Sequence, residues 1–157
     1  MSQVLEYLQG RGQTFTVIPH SRGLSWDERS RDRVPRQLLA TTIVAIGKYG
    51  FAILVIPASR TLDLDLMAEA MGDPYARLAT EEQIRRQFPE YEIGALPPLT
   101  MLLLAPMYVD PAIVERTDVI FSAGRRDISI KMATRDLFGN DPIVVAPLTA
   151  ESVPARS

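Results

Sequence analysis

The stretch LLATTIVAIGKYGFAILVI, residues 38–56, decides how the chain folds. Leu38 to Ile46 and Phe51 to Ile56 are β-branched and apolar, and Gly47-Lys48-Tyr49-Gly50 separates them. Two such runs around a short glycine-bounded turn read as a β-hairpin. Both runs are apolar at successive positions, so both faces should be covered and the hairpin should lie centrally in its sheet.

Upstream, Ser2 can cap a helix carrying Val4, Leu5 and Leu8 on one face, closed by Gly10 and Gly12. Gln13 to Ile18 alternates and reads as a strand. Ser25-Trp26-Asp27-Glu28 is a capping box that should open a short helix, stopped at Val34-Pro35. Downstream, Leu64 to Met71 reads as a helix behind Asp63. Thr80-Glu81-Glu82-Gln83 is a second capping box, whose helix should stop at Phe88-Pro89.

After the loop Gly94-Ala95-Leu96-Pro97-Pro98, Thr100 to Ala105 and Met107 to Asp110 read as strands. Pro111 suits the first turn of a short helix. Asp118 to Ser122 and Ile128 to Met132 are two further strands around Ala123-Gly124-Arg125-Arg126, and Thr134 reads as the cap of a last turn. Strands outnumber helices in an irregular order. The expectation is an α+β fold with a mixed, curved sheet, as one domain over residues 1–148 with a frayed tail from 149 to 157.

Composition narrows the function. The 157 residues are 46% hydrophobic, enough for a full core. There is no cysteine and one histidine, His20, so no metal site and no cofactor are expected. The apolar runs are too short to span a bilayer, and the cytoplasm is the expected compartment. A net charge of −2 argues against a bulk polyanion binder, and no DNA partner is expected. All but two of the seventeen basic residues are arginine, the exceptions being Lys48 and Lys131. Five arginines fall between Arg22 and Arg36, mixed with acids as on a solvated face. Glycine-rich phosphate loops and the GxSxG elbow are absent. Asp63 and Asp65 are explained by capping.

Several stretches, in order, resemble the YbaK family of aminoacyl-tRNA editing domains, which also occur inserted in or beside prolyl-tRNA synthetase. They are His20 after the first strand, Leu39-Ala40-Thr41-Thr42-Ile43-Val44, Val55-Ile56-Pro57-Ala58, Arg77-Leu78-Ala79-Thr80-Glu81-Glu82, the GxxxP loop Gly94 to Pro98, Tyr108-Val109-Asp110, and Phe121 to Arg126. The resemblance spans about residues 4–137. It implies a sheet curled into a partial barrel with surrounding helices. It implies hydrolysis of the ester joining a mischarged amino acid to the tRNA 3′ end, with that end as ligand and an aminoacyl-tRNA synthetase as a further partner.

By the same resemblance the catalytic residues are Gly94, Ala95, Leu96, Pro98 and Thr41. Those touching substrate are His20, Ile43, Ser122, Ala123, Gly124, Arg125 and Arg126. Glycine at 94 lets backbone approach a ligand, and the prolines stiffen the loop that presents its donors. One departure stands out, because the family's lysine position is Thr41, which carries no charge. Lys48 is about 23 Å further along a strand, too far to substitute. Arg125 or Arg126 is preferred over Lys131 as the replacement cation. Thr41 also leaves open a degenerate binding or regulatory module, and a small-ligand pocket protein is a third reading.

Overall fold

The computed structural model describes residues 3–19, 38–139 and 141–153. In chain order the elements are α1 (Gln3–Gly10), β1 (Phe15–Pro19), β2 (Ala40–Gly47), β3 (Gly50–Pro57), α2 (Leu64–Met71), β4 (Arg77–Leu78) and α3 (Glu81–Gln87). Then follow α4 (Thr100–Leu103), β5 (Met107–Val109), α5 (Pro111–Val114), β6 (Asp118–Ser122), β7 (Ile128–Ala133), α6 (Thr134–Phe138), β8 (Val144–Val145) and a 3-10 turn, Ala150–Ser152.

The β2–β3 hairpin forms as expected, with Gly47 paired to Gly50 across the turn. It anchors a five-stranded sheet of order β4-β2-β3-β5-β8. β3 pairs antiparallel with β2 and parallel with β5, so the sheet is mixed. A second, antiparallel sheet has the order β1-β7-β6. The two meet at a bridge between Leu39 and Ile120. The expected α+β class with mixed strands holds. The partial barrel becomes two joined sheets, with no closed barrel among the described residues.

Side-chain alternation sorts the core. Val44, Ile53 and Val55 face inward against Val119, Phe121, Ile130 and Met132 of the small sheet, with Val4 and Leu8 of α1 in the same cluster. Ala45, Leu54 and Ile56 face the other way, against Met67 of α2 and Leu148. β3 is therefore buried on both faces, which is why its sequence shows no alternation. β2 is less covered, and Thr41 is exposed.

Both predicted caps in the middle of the chain form. Asp63 accepts the amides of Asp65 and Leu66, and Thr80 and Gln83 close a reciprocal box. Three expectations change. Thr100 to Ala105 is a helical turn rather than a strand: Leu99 and Leu103, four apart, are buried, while Met101 and Leu104 are exposed. The Thr100 hydroxyl closes the turn on the Ala105 carbonyl at 2.7 Å. A short apolar run cannot reveal its period.

Thr134 does not cap α6; Ala133 holds that position, and the Thr134 hydroxyl has no partner. Thr149, where fraying was expected to begin, is fully buried. The two-residue strands β4 and β8 left no readable signal in the sequence. Ser2, His20, the Ser25 capping box, Val34-Pro35 and the arginine cluster lie outside the described residues.

A buried carboxylate fixes the hairpin turn. Asp73 accepts the amides of Lys48 at 2.7 Å and Tyr75 at 2.9 Å, which hold its pKa below the usual carboxylate value. A Cβ on Gly47 would lie 2.6 Å from its Oδ2. Gly47→Ala should thus cost about 1–3 kcal/mol as an overpacking substitution, measured as a lower urea midpoint.

Candidate functional site

The loop from Glu92 to Pro98 turns on itself and is then clamped to the β6–β7 connection. Within it, the Ala95 amide donates to the Glu92 carbonyl at 3.0 Å. Across the gap, the Glu92 amide donates to the Gly124 carbonyl and the Gly124 amide to the Ala95 carbonyl, each at 2.8 Å. Two sequence-predicted segments, Gly94 to Pro98 and Ala123 to Arg126, are thereby brought together.

Ala95, Leu96, Pro97 and Pro98 are buried, and Gly94 alone of the five is exposed. Gly94 takes φ 83°, and an added Cβ there would meet nothing within 4 Å. Gly124 takes φ 90°, and an added Cβ would lie 3.0 Å from the Tyr91 ring. Gly124 is glycine for two reasons, a left-handed backbone and the close ring.

The amides of Gly94 and Leu96 make no hydrogen bond among the described residues. Prolines 97 and 98 have no amide proton to give. An uncommitted amide at an exposed residue of a stiff loop is a donor for an incoming carbonyl oxygen. A cleft of ≈ 440 Å³ adjoins the clamp, lined by Gln3, Glu90, Tyr91, Gly124, Arg125 and Ile128 among others. Burial, and then Glu90, raise the Tyr91 pKa, so its hydroxyl is a neutral donor, here to Gln3 at 3.2 Å.

Arg125 and Arg126 sit on the turn, exposed, paired to Asp127 at 3.2 Å and Glu92 at 3.5 Å. Such exposed pairs are weak and exchange readily with solvent or another anion. Ser122 ends β6 opposite Ser129 of β7, and Ser129 is fully buried. Ser129 is a buried polar residue opposite Ser122 that the sequence reading missed; alternation with Ile128 and Ile130 reads it as facing solvent, so no local signal marked it.

Thr41 and Ile43 are not beside Leu96. They share a strand face, and Ile43 packs with Ala45, Leu54, Ile56 and Met67, whereas Leu96 belongs to the other cluster. A period of two places them across the sheet from it.

Lys131 lies on β7, a later strand as expected, and the sequence left open which way it faces. It is the cross-strand neighbour of Ile120, which bridges to Leu39, two residues before Thr41. Two strand spacings put Lys131 about 10 Å from Leu39, within reach of a lysine aimed along the sheet. Among the described residues it has no carboxylate partner. No group of three or more metal-ligating side chains occurs among the described residues, and no helix among them is long and apolar enough to cross a membrane.

Asp110 is also central, though as an anchor. It caps α5 through the Ala112 amide at 2.9 Å. Its Oδ2 accepts the amides of Leu148 and Thr149 and the Thr149 hydroxyl at 3.0–3.1 Å, and Ser152 donates to Oδ1. Burial alone would raise its pKa; these donors outweigh it and hold the carboxyl below its usual value. Arg60, just after β3, reaches the Ser152 hydroxyl at 2.9 Å and Glu151 at 3.5 Å, tying that loop to the same segment.

The aminoacyl-tRNA editing domain matches residues 28–139. A hypothetical protein of solved structure superposes with a TM-score of 0.81 at 23% identity, over 93% of this chain and 98% of its own. A protein provisionally assigned as a trans-editing enzyme for prolyl-tRNA synthetase superposes at 0.78 and 19% identity, over 95% and 98%. A protein from Marinobacter aquaeolei VT8, provisionally assigned to signal transduction, superposes at 0.69 and 17%, over 94% of this chain but 30% of its own. At these identities the superpositions establish the fold.

Proposed function

The chain belongs to the aminoacyl-tRNA editing domain family, and from that premise we propose that it is a trans-acting deacylase acting on a mischarged tRNA. The observation that carries this reading is the clamped loop with an uncommitted amide at the exposed residue Gly94. The bound ester carbonyl accepts from that amide. Water adds its oxygen to the carbonyl carbon, the bond to the ribose oxygen breaks, and that oxygen takes a proton. The products are the free amino acid and an uncharged 3′ end. A loop held at both edges presents its donors without reorganising, which is where a positioned amide gains most. Arg125 and Arg126, exposed on the adjoining turn, would meet the backbone phosphates of the same end.

Incubation with a panel of mischarged tRNAs tests the reading. Release of one or more amino acids above the spontaneous rate is expected; no release for any of them would sink it.

A second reading follows from Thr41, which has lost the family's charge: a module that binds the 3′ end without turnover. Thr41→Lys separates the two. For an active deacylase, the variant should lower KM about two- to fivefold, the worth of an exposed ion pair, with kcat little changed. For a binding module it should create release where the wild type shows none. Lys131→Gln should weaken binding by a similar factor if Lys131 supplies the missing cation.

A further inference from the structure

Between α5 and α6 the surface holds a cleft of ≈ 530 Å³ that the proposed reaction does not use. Its volume is that of an ordinary small-molecule site. It sits where the Thr134 amide donates to the Thr117 carbonyl at 2.9 Å, at the end of β6 and β7 remote from Gly124. Five residues of β6 put about 16 Å between the two ends.

The lining divides by chemistry. Val114, Ala133 and Phe138 supply an apolar wall. Arg116, Thr117, Thr134 and Arg135 supply the polar groups, and no Asp or Glu is part of the lining.

Two of those polar groups are poorly satisfied. Thr134 is 3% exposed, and its hydroxyl has no hydrogen-bond partner. A buried polar atom without a partner is uncommon and calls for an explanation. Arg116 is half-buried, and its hydrogen bond goes to a neutral acceptor, the Leu39 carbonyl, at 3.3 Å. Among the described residues it has no ion pair. Burial, and then the nearby Arg60, lower its pKa, while Asp110 acts the other way. The Asp110 oxygens are already shared among five donors, so they neutralise Arg116 only in part. A negatively charged acceptor would pair with Arg116, and the Thr134 hydroxyl still has a hydrogen bond to give.

We propose that this cleft binds a small apolar monocarboxylate, with its carboxylate on Arg116 and the Thr134 hydroxyl and its hydrocarbon against Val114, Ala133 and Phe138. The lining also says which carboxylates fit poorly. An α-amino acid brings an ammonium, and no acidic side chain stands there to receive it. The ligand is a simple organic acid rather than a zwitterion.

Hexanoate, hexylamine, hexanol and leucine, titrated at constant ionic strength and followed by amide NMR shifts, test the proposal. Hexanoate should bind saturably in the millimolar range or tighter, shifting amides around residues 114–117 and 133–139. The other three should bind at least tenfold more weakly. Arg116→Gln should weaken hexanoate about tenfold or more, the worth of a charged hydrogen bond. That variant also alters the contact to Leu39, so Thr134→Val provides the cleaner arm. It removes an unpaired hydroxyl without changing side-chain shape, leaves the free protein as stable as before, and should weaken hexanoate about fivefold. Absence of saturable hexanoate binding, equal binding of hexylamine, hexanol or leucine, or unchanged affinity in Thr134→Val would each overturn it. The readout is binding, so the result stands apart from whether the chain deacylates tRNA.

Discussion

Asp110→Ala is expected to lower the melting temperature by on the order of 6–12 °C, corresponding to about 3 kcal/mol or more for a chain of this size. The wild-type carboxylate is fully buried and accepts two backbone amides and two hydroxyls from residues 148–152, besides capping α5. Alanine removes every acceptor at once. The amides of Leu148 and Thr149 then stay buried without partners, and each such group costs about 1–3 kcal/mol. Arg60 and Arg116 also lose a nearby negative charge. Differential scanning calorimetry reads the loss, and a shift under 2 °C, roughly 1 kcal/mol or less, would show that water replaces the carboxylate at little cost.

The same group makes stability depend on pH. The Asp110 pKa is lower in the folded chain than its ordinary value of 3.8. Its stabilisation is therefore complete above the unfolded value and is lost as the pH falls from there through the folded one. Acid unfolding of the wild type should steepen below about pH 4, and Asp110→Asn should flatten that part of the curve.

Gly124→Ala is expected to lower kcat/KM for deacylation about a hundredfold, the usual result of displacing a reacting geometry by roughly an ångström. Gly124 joins the loop to the turn through both its amide and its carbonyl. A methyl there meets the Tyr91 ring at 3.0 Å on a backbone at φ 90°, so the turn or the ring must move and the clamp with it. Gly94→Ala is the informative contrast. Its φ of 83° brings left-handed strain, about 1–2 kcal/mol, but the methyl meets nothing. Activity should fall about tenfold, with the fold and the clamp intact. Full activity in Gly124→Ala would mean that the clamp does not position the loop. Circular dichroism and the melting temperature distinguish a moved loop from an unfolded chain.

The residues that were legible from sequence share one property, a local physical cause. The β2–β3 hairpin, the Asp63 and Thr80 caps, Pro111 at the head of α5 and the β6–β7 pair each follow from backbone preferences within a few residues. The GxxxP loop was legible for the same reason, since glycine and proline announce their own geometry. Thr100 to Ala105 misled because an apolar run of six shows no period until its neighbours decide which side is buried. Thr149 looked like a frayed end because nothing in its own stretch reveals Asp110, 39 residues earlier in the chain.

The tertiary structure alone decided three things about this protein. It set Thr41 and Ile43 on the opposite sheet face from Leu96, a result of strand alternation combined with which face each helix covers. It carried Lys131 toward the Thr41 end of β2 through the Leu39–Ile120 bridge, a contact between residues 81 apart in the chain. It left Thr134 buried without a partner beside Arg116, because the chain packs there around a cleft. Sequence determined the parts and the loop, through preferences that act over a few bonds. Which side chains converge is a matter of long-range packing, and no local preference encodes it.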